Sequence, residues 1–186
     1  MSKTPEKRNL RRIEIVEFLK KNPYITDEKL AEKFQVSINT IRLDRQHLKI
    51  KECKERVKDL AKESSKLLTS ISKDEIIGDL IELVPGVSGV ARLETTKNMG
   101  FAKSKVVRGQ YIYALSESLA IAVVKANAAL VGIANIKYRE KVETSEVVVA
   151  KAEVKKVRGS NYIVWIRIYN EKDVEVFSGK FILKAL

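Results

Sequence analysis

The chain has one cysteine and one histidine in 186 residues. A lone Cys53 excludes an internal disulfide, and with His47 as the sole imidazole it argues against a Cys/His metal site or a Cys–His catalytic pair. Long apolar runs are also missing. None approaches the ~18 residues that a membrane span needs, so no membrane contact is expected. The N-terminal stretch MSKTPEKRNLRRIE lacks the apolar core of a secretory signal, which predicts a cytoplasmic protein. There is no internal repeat and no low-complexity segment, and nothing calls for a bound cofactor. A composition 45% hydrophobic and 32% charged fits a soluble globular chain, with one large or two small domains left open by the length.

What is present in excess is positive charge, a net of +12, and it is unevenly placed. Residues 1–73 hold 19 Lys and Arg against 11 Asp and Glu, a net of +8, whereas residues 74–186 hold 17 against 13, a net of +4. A basic N-terminal segment favours a polyanionic partner through phosphate contacts and counterion release, although a basic solvated surface would look the same on charge alone.

Three stretches differ in pattern. In the first, RRIEIVEFLKKN places Ile13, Val16, Phe18 and Leu19 mostly at helical spacing, and the following NPY stops the helix because a residue before proline disfavours the α region. Thr26 then caps a second helix, with Asp27 and Glu28 where the helix dipole favours negative charge and Leu30, Ala31 and Phe34 on its apolar face. After the turn FQV, Ser37 caps a third helix with Ile38, Ile41 and Leu48 on one side. Helix, short turn and helix, with small Ala31 where the two approach, is the helix-turn-helix pattern. At 100° per residue Asn39, Leu43 and Gln46 fall opposite the apolar side, flanked by Thr40 and Arg42. Those side chains suit a major groove: Asn and Gln pair with adenine, Arg with guanine, and Leu43 can meet a thymine methyl. The turn carries Gln35 where glycine would accept positive φ without strain, so slight strain is expected there.

The second stretch, KIKECKERVKDLAKESSKLL, is basic and helical in pattern with a thin apolar stripe, and reads as a linker helix. Its Lys51, Lys54, Arg56 and Lys58 are placed to touch phosphates or a minor groove, though a charge run on a helix is commonly a solvated face. The third begins near Asp74. IELVPGVSGVARLE reads as strand, turn and strand around Pro85-Gly86 and Gly89. RGQYIYALSESLAIAVVKAN is apolar almost all round, as in a helix buried in a core. ALVGIANIKY, EVVVAKAEVKKV, NYIVWIRIYN and VEVFSGKFIL are rich in β-branched and aromatic residues. Ala150, Ala152 and Val154 alternate with Lys151, Glu153 and Lys155, giving one buried and one wet face. One buried helix wrapped by a bent antiparallel sheet is the expected α+β solution, so the divisions are 1–49 for the helix-turn-helix domain, 50–72 for the linker helix and 73–186 for the α+β domain.

YITDEKLAEKFQVSINTIRLDR, together with IGDLIEL, the Phe101-to-Arg108-Gly109 spacing, KVETSEVVVAKAEV and VFSGKF, resembles the FapR family, bacterial repressors of fatty-acid and phospholipid biosynthesis genes. The resemblance runs through nearly the whole chain. DeoR-type sugar regulators share such a head, but their effector domain is larger and doubly wound. The resemblance implies a hot-dog fold for the third stretch, a homodimer on a palindromic double-stranded operator, and release by malonyl-CoA or malonyl-ACP as effector ligand. Asn39, Thr40, Arg42, Leu43 and Gln46 would then meet base edges, with Ser37, Arg45, Lys49 and Arg56 on the backbone or in a minor groove. Arg108 would fork onto the malonyl carboxylate beside helix-start N–H groups, Gly109 would admit the ligand close to the backbone, and Phe101 would line the pocket.

Three positions depart from the family pattern. Gln110 replaces a histidine, Glu117 replaces an asparagine near the ligand, and Lys51 stands where proline is expected, which removes a stop between the recognition and linker helices. A second carboxylate near the malonyl group would repel it unless Arg108 or a proton intervenes. Glu117 also opens an alternative, an acyl-CoA thioesterase with a DNA-binding head in which it serves as general base or nucleophile, and a further one, a repressor sensing a different acyl-CoA. Many such hydrolases carry a glycine-rich His-Gly-Gly approach, and VRGQ stands in its place here. The sequence is therefore read as a regulator and not as an enzyme.

Overall fold

The computed structural model describes residues 5–186; the first four residues of the 1–49 division lie outside the described residues. The chain divides into two compact units, Met1–Asp59 and Leu60–Leu186.

The first unit is built on three helices, α1 (Pro5–Lys21), α2 (Asp27–Phe34) and α3 (Ile38–His47). Its core is small: Ile15, Leu19, Leu30, Ala31 and Ile41 are buried, with Phe18, Phe34 and Leu48 packed at its margin. The face of α1 is rotated from the one expected. Ile15 and Leu19, one turn apart, point inward, whereas Ile13 is 61% exposed. The caps are where the residue types call for them. Thr26 Oγ1 accepts from Lys29 N–H at 3.5 Å and Ser37 Oγ from Thr40 N–H at 3.2 Å, each satisfying a first-turn donor that the helix cannot. Between α2 and α3, Gln35 adopts φ 51° and ψ 46°, the left-handed conformation that glycine accepts freely and that costs another residue about 1–2 kcal/mol.

Absence of proline at Lys51 does not let α3 run on. Lys49 turns left-handed at φ 55°, its N–H donating to Gln46 O and the Ile50 N–H to Arg45 O, the reciprocal pair that closes a helix C-terminus. The next helix, α4 (Cys53–Ser65), is shorter than the linker helix expected over 50–72.

The second unit is a six-stranded antiparallel sheet around one helix, α5 (Gly109–Ala122). Its strands are β1 (Asp79–Val84), β2 (Ser88–Glu94), β3 (Ala129–Tyr138), β4 (Val147–Arg158), β5 (Asn161–Tyr169) and β6 (Glu175–Ala185), in the order β1-β2-β4-β5-β6-β3. The helix is apolar nearly all round because the sheet curls about it: Leu115, Leu119, Ala120 and Val123 are fully buried, as are Ala91, Ala150, Val164, Ile168, Phe177 and Phe181 on the strands. Small residues form the floor. Gly89, expected at the turn, instead lies within β2 under the helix, where an added Cβ would come within 2.9 Å of Val123 Cγ1. The turn itself is at Gly86, with φ 79° and its N–H held by Val123 O at 2.7 Å. Register shifts in β1, β3 and β4 bend the strands in the manner of β-bulges. A sheet wrapped about a single central helix is the hot-dog arrangement, so the protein is a two-domain α+β chain with an all-α head.

Candidate nucleic-acid interface and ligand pocket

On α3 the side chains Asn39, Arg42, Leu43 and Gln46 are exposed together, Leu43 at 64%, while Ile41 is fully buried. They form one outward strip on a helix held rigid at both ends, which is what base-edge reading requires. Thr40 is half-buried and its hydroxyl lies 2.9 Å from Ser37 Oγ, so both hydroxyls are engaged in the cap. Lys49 is exposed just past the end of the helix. Arg42 Nε stands 4.0 Å from Asp27 Oδ2, a loose pairing that leaves the guanidinium free to turn outward.

Two of the proposed backbone contacts are used inside the unit instead. Arg45 is 5% exposed; its Nε and Nη2 grip the two carboxylate oxygens of Asp27 at 2.9 Å each, and Nη1 donates to Ile50 O. Arg56 donates to the carbonyls of Pro23, Ile25 and Lys51, stapling the loop between α1 and α2. Its partial burial lowers its pKa, because desolvation disfavours the charged form. Neither guanidinium is available to phosphate without breaking these bonds.

The buried side of α3 thus carries charge that an apolar-stripe reading leaves out. Asp44, 2% exposed, takes Arg11 and Arg12 on its two oxygens. Ile38, assigned to the apolar side, is 37% exposed. The inward positions are Ile41, Asp44, Arg45 and Leu48, spaced by three, one and three residues, so the helical spacing alone marked Asp44 and Arg45 as inward. Their charge hid them, because a buried ion needs a partner and the partners lie on other helices.

In the sheet unit Arg108 is the N-cap of α5, with φ −65° and ψ 132°. Its Nη2 donates to Asn98 O and to Tyr111 Oη at 2.8 Å each, and its guanidinium lies over the Tyr111 ring. These contacts set the guanidinium beside the first turn of α5, where unpaired N–H groups also favour an anion. Gly109 does permit a close approach, but by Tyr138. That ring sits where a Cβ would come to 3.1 Å, and its hydroxyl donates to Gly109 O at 3.0 Å.

A cleft of about 350 Å³ opens beside it, lined by Val106, Val107, Gly109, Ile112, Tyr138 and Val142 among others. Phe101, expected to line a pocket, is 55% exposed and is not in the wall of this cleft. Gln110 is exposed at the helix start. Glu117 lies nine residues beyond Arg108, about 13 Å along the axis at the helical rise, so within one chain the two do not face each other. Its Oε1 is 3.4 Å from Tyr113 Oη; burial, and then the nearby Glu117 charge, raises the Tyr113 pKa.

A rigid helix-turn-helix head with an outward polar strip, attached to a hot-dog domain, defines a DNA-binding transcriptional regulator. Residues 11–60 match the DeoR-like helix-turn-helix domain. The chain is 48% identical over its whole length to Transcription factor FapR of Thermoanaerobacter sp. (strain X514), of which it covers 90%. With the FapR of Staphylococcus epidermidis (strain ATCC 35984) it shares 41% identity over 94% of each chain. Among solved structures, Cj0977, a sigma28-regulated virulence protein from Campylobacter jejuni, superposes at a TM-score of 0.62 over 69% of this chain and 91% of its own; at 14% identity that likeness concerns the fold alone. The chain belongs to the FapR family of transcription factors.

Proposed function

We propose that the protein represses fatty-acid and phospholipid biosynthesis genes by binding a palindromic operator as a homodimer, and that malonyl-CoA or malonyl-ACP in the hot-dog domain releases it. The observation that carries this reading is the exposed strip Asn39, Arg42, Leu43 and Gln46 on a capped helix, in a chain that matches the family from end to end. Dimerisation draws support from the edge strand β3, whose outer side pairs with no strand among the described residues and which exposes Leu130 and Ile133 at about 60% each, since an open edge of ten residues invites a second strand. A malonyl carboxylate draws support from Arg108, whose Nη1 makes no hydrogen bond among the described residues and stands at a helix N-terminus.

Release requires the effector to bind one arrangement better than the other, and a shift from 1:99 to 99:1 takes about 5.5 kcal/mol of differential affinity. Anisotropy of a labelled operator duplex, titrated first with protein and then with malonyl-CoA, tests the reading; acetyl-CoA is the control and free thiol is followed in the same cuvette. Selective release without thiol is expected, and Arg108→Ala should bind operator normally yet ignore malonyl-CoA. Normal induction of that variant would move the carboxylate contact elsewhere. Thiol appearing with time would instead establish a thioesterase and direct attention to Glu117.

A further inference from the structure

The outward face of the sheet, on the side away from α5, holds the single tryptophan of the chain. On β5, Val164, Ile166 and Ile168 point into the core, so Trp165 and Arg167 point out, the indole 44% exposed. Around it the outward face carries Glu153, Lys155, Arg167 and Lys180 beside the neutral Asn135, Ser178 and Tyr169. Lys151 pairs across from Arg167 on β4, and Lys180 pairs across from Trp165 on β6. Lys137 on β3 stands opposite Ser178, which is itself opposite Arg167. With strands ~4.8 Å apart and same-face residues ~7 Å apart along a strand, these cations lie within roughly 5–15 Å of the indole.

The two carboxylates of this region are already occupied. Glu153 pairs with Lys155, which also lies over the Trp165 ring, and Glu175 pairs with Arg139 and, at 3.8 Å, with Arg167. Lys137, Lys151 and Lys180 make no ion pair among the described residues. Two shallow hollows, of about 350 and 390 Å³, flank the ridge that Trp165 and Arg167 share.

We infer that this face is a second nucleic-acid surface, one that takes a single strand. A duplex buries its base faces in the stack and offers a flat surface only phosphates, which the cations can meet but the indole cannot stack on. An acidic protein would meet the lysines but has no succession of π faces to stack. A single strand supplies both: phosphates for Lys137, Lys151 and Lys180, and an unstacked base for Trp165, the combination of cationic track and aromatic platform that single-strand binders use. No residue of the helix-turn-helix head takes part, so the inference stands or falls apart from operator binding.

Because Trp165 is the only tryptophan, its emission reports this face alone. The full chain is titrated at low salt with a mixed-sequence single strand of about 12 nucleotides, a length within the span of known single-strand platforms. The same strand annealed to its complement, and inorganic polyphosphate, serve as controls. Saturable quenching by the single strand only is expected. Anisotropy of the labelled strand should show Trp165→Ala binding about tenfold weaker or worse and Trp165→Phe close to wild type, as loss of one base stack implies. Lys151→Ala with Lys180→Ala should flatten the salt slope by about 1.4, at ~0.7 per phosphate contact. Absence of quenching, equal quenching by duplex or polyphosphate, or unchanged affinity of a folded Trp165→Ala would each overturn the inference.

Discussion

Replacing Arg45 by methionine separates a structural arginine from a DNA-contacting one. In the native head its guanidinium makes two parallel bonds to Asp27 at 2.9 Å and one to Ile50 O, with its side chain 6% exposed and that of Asp27 12%. Methionine keeps the buried stem and removes the charge, leaving Asp27 and the Ile50 carbonyl without their donors. Breaking a fully buried pair costs about 3–5 kcal/mol; Asp27 keeps some water and the N-terminal dipole of α2, which brings the expected loss to about 2–3 kcal/mol. A unit of 59 residues is stable by only about 3–9 kcal/mol, so the head would be left marginal or unfolded. The domains can be followed separately. Far-UV ellipticity in urea weights the helices of the head, whereas Trp165 emission reports the sheet, so the first transition should move to lower denaturant and the second should not. Asp27→Asn in the Arg45→Met background should cost much less than it does alone, a coupling of about 1–3 kcal/mol. An unchanged head transition combined with weaker operator binding would refute the reasoning and return Arg45 to the DNA.

Gln35→Gly should stabilise the head by about 0.5–1 kcal/mol in the same urea series, the left-handed strain relieved less the extra entropy of an unfolded glycine. Operator anisotropy should distinguish two kinds of contact: Arg42→Ala weakening operator by ~1–3 kcal/mol with loss of sequence preference, and Lys49→Ala weakening all DNA alike. Burial raises the pKa of Tyr113 and of Tyr138 above 10.0, so the unfolded chain ionises first. That contribution is complete below the ordinary tyrosine range and is lost as pH rises through the folded values. The sheet transition should therefore fall at alkaline pH, and less steeply in Tyr138→Phe; equal slopes would contradict the assignment.

Features legible in the sequence are those decided within a few residues. Thr26 and Ser37 cap because a hydroxyl before an apolar-periodic run can reach an N–H three residues on. The strands of the hot-dog unit follow β-branched runs and alternation, and α5 follows a stretch apolar on every side. The exposed strip on α3 followed from helical period alone. What the tertiary structure decided are the pairings between distant residues. Asp44 meets Arg11 and Arg12 from 33 and 32 positions away, and Arg45 meets Asp27 from 18, so charges that look like a solvated or DNA-facing surface are buried. Ile13 and Ile15 are two residues apart and either could have faced the core, until α2 and α3 selected one side. Gly109 signalled a close approach, yet only the return of β3 past the start of α5 made the approaching group Tyr138. A local pattern constrains a backbone through its own hydrogen bonds, whereas the partner of a side chain depends on where the rest of the chain returns, and no periodicity encodes that.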